Sequence, residues 1–360
     1  MGRKSEARVT KRVVAVLGGF SLLLFAAACG SSRQSTAADV TSAHSAAKAA
    51  SAASAPTTAS SGAKAVSNAP SAVAAPTAAA KKRTWWHPRA VGPNKGPEFQ
   101  WELDHALNIS SLADAGNDVT NALGRKARNV TVYDIDGIDN PASTVKTLHR
   151  LHDKVICYIE VGAAGNYYSA ADEGIAVTYF QQLKAAGDLG AAVPGYPEYY
   201  LNINTRSTFR IIKTMIRQQC FRKGFDAVEP DIDDSYTDRT GFPITEAASE
   251  TYDRRLAAYA HRLGLAWGQK NGDNDAAFSA TLEPFSDFLL TEECQYYQTC
   301  GIVTPPYVRA GKLVLDAEYT ADWGGDTASA LSRFCPADIA GGLDGTLFTP
   351  ALTGRRHPCR

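Results

Sequence analysis

Gly224-Phe225-Asp226-Ala227-Val228-Glu229-Pro230-Asp231 is a short apolar run that ends in carboxylates, with Asp233 two residues further on. A run of this length bounded by Gly and Pro reads as a buried strand rather than a helix. Working outward, similar runs lie at Phe99 to Leu103, Val130 to Ile135, Val155 to Val161, Tyr199 to Ile203, Leu265 to Gly268, Phe288 to Leu290 and Leu313 to Ala317. With Phe225 to Val228 they make eight. Amphipathic helix candidates fall between them, among them Ala142 to Leu151, Thr208 to Phe221 and Glu246 to Leu263. Alternating strands and helices predict a parallel sheet, and eight such units fit a closed (β/α)8 TIM barrel of the α/β class. An open doubly wound sheet is the alternative, but it ordinarily carries a Gly-rich phosphate loop, and the chain has neither G-x-G-x-x-G nor a P-loop.

Polar residues recur where these runs end. Asp134 and Asp136 close the second, Glu160 the third, Asn202 the fourth, and Glu229, Asp231 and Asp233 the fifth. Lys270 and Asn271 close the sixth, Glu292 the seventh and Glu318 the eighth. A lone Asp at a strand end ordinarily caps the next helix. Recurrence on most strands needs more than capping, because all strand ends of a barrel converge on the face that carries active sites.

The 37 basic and 37 acidic residues cancel, which argues against a nucleic-acid binder. A hydrophobic fraction of 44% and 29 Gly are those of a globular enzyme, yet no Leu, Ile or aromatic residue lies between Phe25 and Trp85. Arg3, Lys4, Arg8, Lys11 and Arg12 precede an apolar run over 13–28, shorter than the roughly 20 residues of a membrane span, so residues 1–29 read as a signal peptide. Small residues before Cys29-Gly30 look like a bacterial lipoprotein site, with Cys29 the lipidated residue and the membrane a partner through that lipid. Ala26 stands where such sites usually carry Leu. An uncleaved anchor and ordinary secretion are the alternatives. Residues 30–84, rich in Ala, Ser, Thr and Pro, read as a disordered linker, and 85–360 as the catalytic domain of an extracytoplasmic protein, membrane-anchored or secreted.

Beyond Cys29, six cysteines remain, an even number that suits disulfides in an oxidising compartment. Spacing favours Cys294 with Cys300 and Cys335 with Cys359, while Cys157 is either bridged or a free buried thiol. No zinc spacing is present, His149 and His152 read as solvated, and neither a metal nor a cofactor is expected.

The opening stretch, with Tyr236 and Thr240-Gly241-Phe242, resembles the central motif of glycoside hydrolase family 114, endo-α-1,4-polygalactosaminidases built on a TIM barrel. Tyr133-Asp134-Ile135-Asp136, Val155-Ile156-Cys157-Tyr158, Ala260 to Leu265, Lys270-Asn271, Glu292-Glu293-Cys294, Gly311-Lys312 and Glu318-Tyr319 resemble its other motifs in order. The resemblance runs from about Trp85 to Tyr319 and fades beyond Ala321. There are departures: Tyr167-Tyr168 stand where the family has an aromatic-Arg pair, Glu160 where a small residue is usual and Asn202 where Asp is frequent.

Glycosidic cleavage needs one carboxyl to protonate the leaving oxygen and another as nucleophile or base. The resemblance points to Asp231 and Glu292. Glu292 follows Phe288-Leu289-Leu290-Thr291, apolar surroundings that raise a carboxyl pKa as an acid requires, whereas Asp231 lies among further acids. A helix cap or calcium ligand is the plainer reading of Asp231, though the run lacks the Gly and spaced Glu of an EF-hand. Asp136, Glu229 and Glu318 are candidates to hold sugar hydroxyls or an ammonium. Tyr158 and Trp101 are candidate aromatic platforms or barrel packing, and Lys270 would orient or neutralise a carboxylate. The expected substrate is a cationic amino-sugar polysaccharide, which a carboxylate-lined bowl concentrates. A non-catalytic carbohydrate-binding lipoprotein on the same barrel is the other function class, and no G-x-S-x-G elbow supports a different hydrolase.

Overall fold

The computed structural model describes residues 84–90, 97–103, 105–166, 173–272, 274–352 and 355–360. The expected signal peptide, Cys29, the linker before residue 84 and Tyr167-Tyr168 lie outside the described residues. Strands β1 (Phe99–Glu102), β2 (Val132–Asp136) and β3 (Lys154–Glu160) come first, with helix α1 (Ala142–Arg150) joining the last two. After β4 (Ala163–Gly165), α2 (Glu173–Ala185), β5 (Leu189–Ala192) and β6 (Glu198–Leu201), helix α3 (Arg206–Met215) continues into a π-helical turn, Ile216–Phe221. Then follow β7 (Ala227–Asp231), α4 (Glu246–Leu263), β8 (Ala266–Lys270), α5 (Ala276–Leu282) and β9 (Phe288–Glu292). The chain ends with α6 (Cys300–Val303), α7 (Pro305–Arg309), β10 (Leu313–Tyr319), α8 (Thr327–Gly341), β11 (Asp344–Phe348) and β12 (Arg356–Pro358).

The main sheet runs β1-β2-β3-β7-β8-β9-β10-β11-β12, parallel except for the antiparallel β12, and forms a nearly closed TIM barrel. Its seam lies between β11 and β1, where the ring of Phe348 meets Phe99 at 5.4 Å and Trp101 at 6.0 Å. Arg356 on β12 ties this seam: it is fully buried, pairs with Glu98 at 2.7 Å and donates to the carbonyls of Gly116 and Arg128.

Strand pleating sorts the side chains. Phe99 and Trp101, Ile156 and Tyr158, Phe288 and Leu290, and Leu313, Leu315 and Ala317 fill the barrel lumen. Their neighbours Tyr133, Ile135, Val155, Cys157, Val228 and Trp267 face outward and pack under α1, α3 and α4. Gly268 serves the lumen, because a Cβ there would sit 2.6 Å from Phe288.

The eight-strand expectation holds in number, with one exchange. Tyr199 to Ile203 is not a barrel strand; β6 lies in a separate antiparallel sheet of order β4-β6-β5. Asn202 follows β6, and its backbone N–H bonds to Asp188 rather than entering the main barrel's ladder. The eighth barrel strand is β11, which lies beyond the eight runs read from the sequence. All three possible bridges form, Cys157–Cys220 included, so Cys157 is not a free thiol.

Candidate active site

Period-2 alternation carries a lumen row upward into charge on three consecutive strands. Ala227, Glu229 and Asp231 share a face on β7, as do Ala266, Gly268 and Lys270 on β8 and Phe288, Leu290 and Glu292 on β9. The residue after each terminal group is non-Gly and left-handed: Ile232 at φ 57, Asn271 at φ 49 and Glu293 at φ 58. Such backbone is held only where surrounding contacts enforce it, and here it turns the chain directly after each of these charged side chains. Asn271 enforces one turn, its Oδ1 accepting the Glu292 backbone N–H at 2.8 Å.

Lys270 is the hub. Its Nζ lies 2.9 Å from Asp231 Oδ1, 3.3 Å from Glu229 Oε1, 3.3 Å from Glu292 Oε2 and 5.1 Å above the Trp101 ring. Burial works to discharge this ammonium, but Asp231, Glu292 and Glu229 outweigh it and hold Lys270 well above its usual range. Tyr158 donates its hydroxyl to Asp231 Oδ2 at 2.6 Å, so two donors aim at that carboxylate. Tyr319 donates to Glu292 Oε1. Burial pushes Glu292 up to about 7, opposed by Lys270 and Tyr319. Beneath them Trp101 Nε1 donates to Glu229 at 3.2 Å, and burial, followed by the Glu229 charge, pushes Asp134 well above the usual carboxylate range.

The structure therefore brings Trp101, Tyr158, Glu229, Asp231, Lys270 and Glu292 together. Trp101 and Glu229 form the floor: both are fully buried, and the cation Trp101 meets is Lys270, so its face is not a free platform for sugar. Asp136 and Glu318 are not brought in. Asp136 Oδ1 accepts the N–H groups of Ile138 and Asp139 and anchors the turn after β2. Glu318 faces away from the lumen and accepts from Gln295 and Tyr296 N–H and from Trp323 Nε1. Its neighbour Tyr319 is the inward residue that sequence reasoning missed, although alternation from Leu313 through Leu315 and Ala317 points to it. Glu160 and Glu198 add a further hydrogen-bonded acid pair at the rim, with burial and the Asp231 charge pushing Glu198 up to about 8.

The family model of glycoside-hydrolase family GH114 matches residues 75–360, and so includes β11 and the tail beyond Ala321, where the resemblance was expected to fade. A structure of Ega3 from Aspergillus fumigatus, in complex with galactosamine, is similar at 25% identity and a TM-score of 0.62, over 77% of this chain and 98% of that chain. The glycoside hydrolase domain of PelA from Pseudomonas aeruginosa superposes at 12% identity and a TM-score of 0.49, over 71% of this chain and 96% of that chain. No curated protein matches the chain.

Proposed function

The chain belongs to glycoside-hydrolase family GH114, and from that premise we propose that it is an endo-acting hydrolase of α-1,4-linked galactosamine-type polymer that works through Asp231 and Glu292. The observation that carries this reading is a buried ammonium touching two carboxyls of different character, Glu292 at about 7 and Asp231 between two donors. Neutral Glu292 gives its proton to the glycosidic oxygen as the Asp231 carboxylate attacks the anomeric carbon and the C–O bond breaks. Water then attacks the covalent glycosyl-enzyme, Glu292 takes the water's proton and Asp231 departs. Retention is part of the proposal, because both carboxyls touch one Nζ, at 2.9 and 3.3 Å, an approach that favours the closer retaining arrangement.

The substrate class draws on the family and on the galactosamine in the Ega3 structure. A panel of de-N-acetylated and N-acetylated galactosamine and glucosamine polymers tests it by reducing-end release. Cleavage of the galactosamine polymer is expected, falling as pH rises through about 7, where Glu292 loses the proton it must donate. Cleavage of only the glucosamine polymers would refute the substrate assignment.

Export and a lipid anchor at Cys29, with residues 30–84 as tether and 85–360 as the folded domain, belong to the same proposal and rest on the order of basic, apolar and Cys residues. Fatty-acid labelling in a bacterial host should mark the chain and be lost in Cys29→Ser. Label retained in that variant would move the anchor elsewhere.

A further inference from the structure

The 37 acids and 37 bases cancel in number but not in place. Asp134, Glu229, Asp231, Asp316 and Glu318 are fully buried in or against the barrel, which leaves the surface short of acid. On one flank the cations dominate. Arg206, Arg210, Lys213 and Arg217 recur every three or four residues along α3 and its π-helical extension, which sets them in one stripe, and the three arginines are exposed. No Asp or Glu occurs from Arg206 to Phe225.

Helix α4 joins a stripe of its own to this one. Arg255 and Arg262, both exposed, share a face with Tyr259 between them. Arg255 lies 3.8 Å over the Phe209 ring of α3, and Arg262 lies 5.6 Å over Tyr259. Lys213 sits over both rings, 5.2 Å from Phe209 and 4.6 Å from Tyr259. The aromatic faces thus hold cations of both helices in one array. Among the described residues none of these six cations forms an ion pair: Glu250 is taken by Arg254 at 2.9 Å, and Asp253 is buried.

We propose that the α3–α4 face docks on the anionic phospholipid headgroups of the membrane that carries the tether. This rests on the lipid-anchor reading above. A cationic face without acid partners attracts an anionic surface, and the amino-sugar polymer, itself cationic, is repelled by it. What favours lipid over a soluble polyanion is where the chain enters the fold. Trp85 stacks on His261 of α4 at 4.2 Å, next to Arg262, and Lys81, Lys82 and Arg83 precede that point in the sequence. The tether therefore delivers the domain to the membrane beside its basic flank. Asp287, which binds Trp85 at 3.0 Å and His261 at 2.8 Å, directly precedes β9, whereas Glu292 ends it. Tether and catalytic groups lie at opposite ends of the barrel, so the docked barrel rests on its side with the catalytic mouth open to polymer.

Lysine footprinting tests this on the full chain in phosphatidylcholine vesicles with or without about 30% phosphatidylglycerol. Lys213, at the centre of the face, should acylate about fivefold more slowly or less with phosphatidylglycerol present at low salt, and the protection should vanish at about 0.5 M salt. Lys126, whose side chain is 73% exposed in the loop that meets β12, should not change. Arg206→Glu, Arg210→Glu and Arg217→Glu combined should abolish the protection of Lys213 while leaving the circular-dichroism spectrum intact. Equal acylation of Lys213 on both vesicles would overturn the docking, and so would protection that survives the charge reversal. Protection by soluble polyphosphate but not by phosphatidylglycerol vesicles would replace the membrane with a soluble polyanion. Fatty-acid labelling at Cys29 reads the anchor separately: label without protection removes the docking face alone, and protection without label keeps the face and removes the anchor.

Discussion

Glu292→Gln and Asp231→Asn each lower kcat on the cleaved polymer by about a thousandfold or more, while KM moves little. The size follows from what is lost: Gln has no proton to give the leaving oxygen, and Asn cannot form the glycosyl-enzyme. The two variants differ in their pH behaviour. Glu292 is raised from 4.5 to about 7 mainly by burial, so the folded protein retains a proton there that the unfolded chain has lost. Between those values stability falls as pH rises, since the folded state binds more protons, and the cost is complete above about 7. Glu292→Gln removes that cost, so it should unfold no earlier than the parent at mildly alkaline pH even though it is inactive. Its residual activity should also lack the parent's decline through about 7. Urea unfolding and pH–rate profiles read both effects. Near-normal turnover in either variant would remove that residue from the chemistry, and a Glu292→Gln protein that unfolds earlier at high pH would make the residue structural.

The resemblance singles out Asp231 and Glu292, and their placement at strand ends facing the lumen was legible because strand ends and alternation obey short-range rules. Ala227-Val228-Glu229-Pro230-Asp231 needs no partner to place its acids on one face, and the same holds for Phe288 to Glu292. What escaped depended on pairing across long separations. Tyr199 to Ile203 has strand composition, yet nothing local says which sheet it joins, and it pairs antiparallel with β4 and β5. Asp344–Phe348 reads DGTLF, short of β-branched residues and opening on turn signals. It is a barrel strand because β10 templates it and because Gly345 leaves room for the buried Asp338 carboxyl, whose Oδ2 would lie 1.9 Å from a Cβ there. Cys157 and Cys220 are 63 residues apart, and only the packing of β3 under the π-helical turn joins them. Glu318 reads in the sequence as an acid at a strand end, whereas its contribution is to hold Gln295, Tyr296 and Trp323 from outside the lumen.

Lys270→Met should lose activity and become pH-fragile, because one ammonium serves three buried carboxyls. Removing a single partner from a buried ionic group typically costs about 3–5 kcal/mol, since the remaining charge has lost its compensation. Here the barrel has an escape through protonation, which makes the loss depend on pH. Burial is the leading cause of the raised Glu292 and Glu229 values, and Lys270 is what opposes it in both. Without the ammonium both carboxyls move further up. Groups raised in the folded state impose their cost as pH climbs past the unfolded value, so the variant should approach parental stability in acid and fall progressively behind as pH rises beyond about 4.5. The same shift moves the alkaline limb of any residual activity above about 7, because Glu292 keeps its proton longer. Meanwhile Asp231 loses one of its two donors and the ring of Trp101 loses its cation, so attack on the anomeric carbon slows even where the acid is correctly protonated. Urea unfolding across pH, paired with the rate profile, separates the two consequences. A Lys270→Met protein as stable as the parent at alkaline pH, or one whose alkaline limb stays in place, would mean that the three carboxyls are balanced by something other than this lysine.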